Sequence, residues 1–130
     1  MQLLLDSTGP AVDQVASVDS MHFVRDPFPI VNDADLLSQG GDRNTRVIVF
    51  VRNLQLAQGE TASSVVVNLV DVNNQSFNVA AEAVRSVPDT DFVQVTFRLP
   101  TTIAAGRCAV TIKAHSQTSN TGSIRVVPPL

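Results

Sequence analysis

The chain has 130 residues, nine of them basic and twelve acidic, with 44% hydrophobic residues, one cysteine and neither tryptophan nor tyrosine. That length suits one domain with a real core and is too short for two. A net charge of −3 argues against a nucleic-acid partner, whose phosphates need a basic surface, and the missing Trp and Tyr remove the flat platforms on which sugars and bases usually stack.

The 21 valines, about one residue in six, favour strands over helices, because a β-branched side chain loses rotamer freedom in a helix and packs well on a pleated surface. No stretch approaches the ~18 apolar residues of a membrane span. Leu3-Leu4-Leu5 stops at Asp6, short of a signal-peptide core, and the chain is expected to be a segment of a longer protein. A lone Cys makes no internal disulfide, and two His are few for a metal site.

Residues 1–44 read as an irregular, Asp-rich lead-in packed on the domain, and residues 45–130 as the domain proper. Alternating sets over residues 15–25 predict a strand. Asp26-Pro27-Phe28-Pro29-Ile30 must be extended or turning, since each proline restricts its own φ and the residue before it. Asn32 or Asp33 is placed to cap a helical turn through Leu36 and Leu37, ended by Gly40-Gly41-Asp42.

Thr45 to Arg52 has five consecutive apolar residues, Val47 to Val51, which predict a central strand covered on both faces. Asn53 to Gly59 turns a corner. Ser64 to Val72 is the next strand, and Asn73-Asn74-Gln75 is a hairpin turn that tolerates positive φ. Ser76 to Ala81 returns with Phe77, Val79 and Ala81 on one face, and Glu82 to Val87 makes a short strand ending at Pro88. Phe92 to Leu99 gives the clearest period of two, with Val93, Val95, Phe97 and Leu99 on one side. Cys108, Val110, Ile112 and Ala114 alternate likewise, His115 to Asn120 reads as a polar loop, and Ile124 and Val126 close the pattern. Six to eight strands at about 10-residue spacing predict an all-β fold, an antiparallel sandwich of about seven strands with an extended N-terminal segment.

The last third also carries a family pattern. Gln94, Val95, Phe97, Leu99 and Pro100, then Ile103 and Gly106, Val110 and Ile112, and Ser119 and Asn120 together resemble the ending of bacterial immunoglobulin-like modules of the IPT/TIG kind, which recur in large secreted or surface proteins of soil bacteria. Val47 to Leu56 resembles the early strand and corner of the same family. The resemblance covers residues 45–127 and implies an immunoglobulin-like sandwich. It also implies an extracellular or cell-surface location and a spacer or adhesive role, with neighbouring modules or another protein as partners.

The chemistry-bearing residues support no catalytic site, and the protein is expected not to be an enzyme. His22 and His115 are the only imidazoles for a triad, and Ser116 beside His115 is too close in sequence for triad geometry. Cys108 sits on the apolar side of its strand, as a small core residue does. Asp89 and Asp91 fall in a polar turn, without the facing groove that glycoside chemistry needs. No cofactor is expected. The one candidate metal is calcium, for which Asp26, Asn32, Asp33, Asp35 and Asp42 offer loop oxygens, although capping and turn duties account for the same residues. A calcium-dependent glycan- or peptide-binding module, accessory to an extracellular enzyme, is the competing expectation. One valine row of the Ser64–Val72 strand, either Val66, Val70 and Val72 or Val65, Val67 and Leu69, must lie outside the core and pack under the N-terminal segment, a neighbouring module or another subunit, of which the N-terminal segment is the expected cover.

Overall fold

The computed structural model describes residues 1–5, 14–19, 28–30, 44–54, 56, 59–114 and 117–127. Their strands, in chain order, are β1 (Gln2–Leu3), β2 (Ser17–Asp19), β3 (Phe28–Pro29), β4 (Arg46–Arg52), β5 (Val65–Val70), β6 (Ser76–Ala80), β7 (Ala83–Ser86), β8 (Phe92–Arg98), β9 (Gly106–Ala114), β10 (Gln117–Thr118) and β11 (Gly122–Val127). One 3-10 turn, Ala62–Ser64, leads into β5. The strands form two sheets, ordered β1-β4-β8-β7 with β2 also on β4, and β3-β11-β9-β5-β6 with β10 also on β9. The fold is therefore an all-β sandwich, as the strand spacing requires.

The alternation sets which side chains meet. Val47, Val49 and Val51 of β4 and Val93, Val95 and Phe97 of β8 point inward from the first sheet. From the second sheet Val65, Val67, Leu69, Cys108, Val110, Ile112, Ile124 and Val126 meet them. Burying a Val, Leu, Ile or Phe side chain is worth about 1.5–3 kcal/mol, so these two facing rows are the main stabilising term. β4 is central, as Val47 to Val51 demands, between β1 and β2 on one side and β8 on the other. Its second face, Ile48 and Phe50, is only half-buried.

The lead-in enters both sheets. β1 and β2 pair with β4, and β3 pairs with β11. Leu3, Val15, Phe28 and Ile30 are buried in the same core as the later strands. The β3–β11 pair is parallel, a departure from the all-antiparallel expectation, because the lead-in runs alongside the last strand in the same direction. Asn32, Asp33, Leu36, Leu37 and the Gly40-Gly41-Asp42 stop lie outside the described residues.

Two sequence expectations need correction. β5 ends at Val70 rather than Val72; Asp71 opens the turn and Val72 is 55% exposed. Gln117–Thr118, read as loop, pairs with Lys113 and Ala114 of β9. The outer row of β5 is not under the described N-terminal strands, which lie in the first sheet or at the far edge of the second. It is not a continuous apolar row either. Asn68 stands between Val66 and Val70 and donates to Ser76 Oγ at 3.0 Å and Asn78 Oδ1 at 2.9 Å. Val66 and Val70 are half-buried by their own sheet, beside Ala80 and Lys113 and beside Ser76 and Ala109.

Gly106 begins β9 at φ +130, a backbone conformation that side-chain-bearing residues rarely adopt. A Cβ there would meet Val72 Cγ1 at 3.1 Å, but Val72 is exposed and free to yield, so the backbone decides the outcome. Gly106→Ala is expected to cost about 1–3 kcal/mol in a urea melt. Adding Val72→Ala should recover little of that loss; full recovery would make the side-chain contact the cause instead.

Candidate functional site

The two sheets are stitched at both ends by polar groups. At the end where β4 finishes, Asn120 acts as a surrogate strand: its Oδ1 accepts from Leu3 N at 2.7 Å and its Nδ2 donates to Leu3 O at 3.1 Å. Beside it, Ser119 closes the β9–β10 corner, with Ser119 N donating to Ile112 O at 2.8 Å and Ile112 N to Ser119 Oγ at 2.9 Å. At the opposite end, Ile30 N donates to Val127 O at 3.2 Å, Thr45 N to Ile30 O at 2.9 Å, and Leu99 N to Thr45 O at 3.0 Å. The Thr45 hydroxyl also donates to Pro29 O. Asn120→Ala removes both bonds to Leu3 and is expected to cost about 1–2 kcal/mol, read as a lowered urea midpoint with unchanged slope.

The Asn120 end carries the most distinctive surface. A groove of about 270 Å³ there is lined by Gln2, Leu4, Leu5, Arg52, Phe92 and Asn120. Leu4 and Leu5, which follow β1, are 37% and 36% exposed, while Leu3 turns inward. The register places Arg52 opposite Phe92, and the guanidinium carbon lies 4.7 Å from the ring centroid, a cation–π contact worth about 0.5–1 kcal/mol at an exposed site. Asp91 Oδ2 is 3.9 Å from Arg52 Nε. Phe92 also borders a second cavity of about 380 Å³ that reaches Asn53 and Thr90. The groove offers apolar contact, two amides and one cation held against an aromatic face, a set suited to surface contact.

Elsewhere the ionisable side chains serve the frame. Arg46 and Arg98 are directly opposite, a repulsive pair, and Glu82 offsets it by gripping Arg46 at 2.8 Å and 3.3 Å. Asp71 is buried at the opposite end from the groove. Its Oδ1 accepts from Asn73 N at 2.9 Å and Gln75 N at 3.0 Å, and its Oδ2 from Ala104 N at 3.1 Å. Loss of hydration raises its pKa, but the three N–H bonds outweigh that and hold the carboxyl below its ordinary 3.8. Burial, then the nearby Asp71 charge, pushes the Cys108 thiol up to about 12, so it is a core residue, as its strand position predicts.

Of the remaining sequence candidates, Asp89 sits in the turn before β8 at φ 62, and Asp91 is exposed beside Arg52. The five calcium candidates Asp26, Asn32, Asp33, Asp35 and Asp42, with His22, His115 and Ser116, lie outside the described residues. Among the described residues no three His, Cys, Asp or Glu side chains come together to hold a metal. Sequence reasoning missed the Arg52–Phe92 stack and the role of Asp71. An Asp followed by Asn-rich turn residues signals an Asx turn, but the reach of Asp71 to Ala104, 33 positions on, leaves no local trace. Compared with known proteins, the chain matches no family model, no curated protein and no solved structure.

Proposed function

We propose that the chain is a non-catalytic structural or adhesion module of a larger secreted or cell-surface bacterial protein, acting as a rigid spacer that presents a contact surface. The observation that carries this reading is the direction of the chain through the sandwich. Gln2 and Leu3 lie at the end where β4 finishes, paired with Arg52 and Val51. β11 starts near that end and runs to Val127 at the other, beside Pro29. A polypeptide entering at β1 and leaving at β11 is thus threaded end to end, the arrangement that lets modules follow one another in a line. Tension along that line loads the β1–β4, β3–β11 and β11–β9 ladders lengthwise, so their bonds share the load instead of opening one by one.

The resemblance of Asp91 to Val126 to IPT/TIG-like modules supports the same reading, and so does the use of Arg46, Glu82 and Asp71 in the frame. Neighbouring modules or another protein are the partners it calls for, and the Arg52–Phe92 groove lies at the entry end, where the preceding module would sit. An immunoblot of fractionated source cells tests it. A polypeptide well above 13.9 kDa in the secreted or cell-surface fraction is the expected result; a 13.9-kDa band confined to the cytosol would overturn the proposal.

A further inference from the structure

We infer that β6 is a docking edge for a second copy of this chain, the two β6 strands pairing antiparallel about Asn78 to join two sandwiches through one continuous sheet. The argument begins with the ladder. Ala81 N donates to Val65 O and Asp71 N to Gln75 O, both in the β5–β6 register. Hydrogen-bonded and non-hydrogen-bonded pairs alternate along an antiparallel ladder. The odd-numbered residues of β6 therefore bond to β5, and the main-chain groups of Ser76, Asn78 and Ala80 point away from the sheet. No described strand takes them up, and all three residues are exposed.

Exposed edges are normally blunted by charge, proline, bulges or brevity, and the other edges here obey that rule. β7 carries Arg85, follows Glu82 and precedes Pro88; β3 contains Pro29; β1 and β2 are two and three residues long. β6 is five residues of Ser-Phe-Asn-Val-Ala with no charge and no proline. It alone among these edges carries none of the usual guards.

The occupant follows from self-complementarity. Pairing about Asn78 sets Ser76 against Ala80 and Asn78 against Asn78, and each of those pairs exchanges two main-chain bonds. It also sets Phe77 against Val79 on the core side, where both are half-buried against the core. Small side chains thus meet on the outer face, apolar ones extend the core, and no charge opposes approach. The amide line from Asn68 to Asn78 would run on across the two-fold axis. Once paired, neither copy has a second bare edge of this kind among the described strands, so the product is a closed dimer and not a fibre.

The test is sedimentation equilibrium of the wild-type chain and two variants. The wild-type mass should climb from 13.9 kDa toward twice that value between about 10 μM and about 1 mM, the range of a small interface. Asn78→Lys brings two ammonium groups face to face at the axis, and Asn78→Pro deletes the N–H that must bond there while leaving a position that an isolated edge strand tolerates. Each should move dimerisation at least tenfold higher in concentration, with the melting midpoint in dilute solution little changed. A wild-type chain that stays monomeric throughout, or variants that dimerise as the wild type does, would each overturn the inference. Neither result bears on the cellular fractionation above, so the two proposals fail separately.

Discussion

Phe28→Ala is expected to destabilise the protein by about 3–5 kcal/mol, as much as Phe97→Ala in the middle of β8. Phe28 is 1% exposed and Phe97 is fully buried, so each truncation leaves a cavity of similar kind. The equality is the informative part, because Phe28, between Pro27 and Pro29, stands on a two-residue strand and Phe97 on a seven-residue central one. A lead-in merely draped over a finished sandwich would detach at small cost. One whose Phe28, Leu3, Val15 and Ile30 complete the core can leave only by opening it. Urea unfolding of both variants at 25 °C checks this. A loss below about 1 kcal/mol for Phe28→Ala, with the wild-type slope retained, would show that the sandwich closes without the lead-in. For a domain at the low end of the usual range of about 5–15 kcal/mol, the larger loss brings the midpoint close to zero denaturant.

Asp71 governs the second large effect. Three main-chain N–H groups from two different turns end on its carboxylate. Asp71→Ala orphans all three and should be the most destabilising substitution at any turn. Asp71→Asn keeps one acceptor but turns an amide donor toward Ala104 N–H or toward the Asn73 and Gln75 pair, so it should fall between Ala and the wild type. The pH dependence separates charge from shape. The folded-state pKa lies below 3.8, so the ionised form favours folding. That contribution is complete above the unfolded value and disappears as pH falls through the folded one. The stability gap between wild type and Asp71→Asn should therefore be constant above about pH 5 and close progressively below 3.8. Melts of both proteins from pH 7 to pH 2 measure it, and a gap that persists unchanged at pH 2 would reject the assignment.

Much of the frame was legible because it rests on a period of two. Val93, Val95, Phe97 and Leu99, and likewise Cys108, Val110, Ile112 and Ala114, declare their buried face without help from any distant residue. Asn74 at φ 62, Asn53 at φ 61 and Gly59 at φ 86 occupy turns that their residue types announce. What escaped notice depends on residues far apart in the chain. Leu3 meets Asn120 across 117 positions, and Arg52 meets Phe92 only because β4 and β8 are neighbours in register. The partial cover of the outer row of β5 is hidden from the sequence for a related reason. Counting its valines ignored Asn68 and the side chains of β6 and β9 that flank them, and it is those neighbours that give Val66 and Val70 their partial cover.

The single thiol also supplies a clock. Cys108 is fully buried and its pKa stands at about 12, so at neutral pH the folded protein offers neither access nor thiolate to an alkylating reagent. Labelling must then wait for the sandwich to open, and with reagent in excess its rate reports how often the native state unfolds. Phe28→Ala should quicken that clock by the factor by which it speeds unfolding, which grows exponentially with the part of the lost stability that the unfolding rate expresses, without any denaturant present.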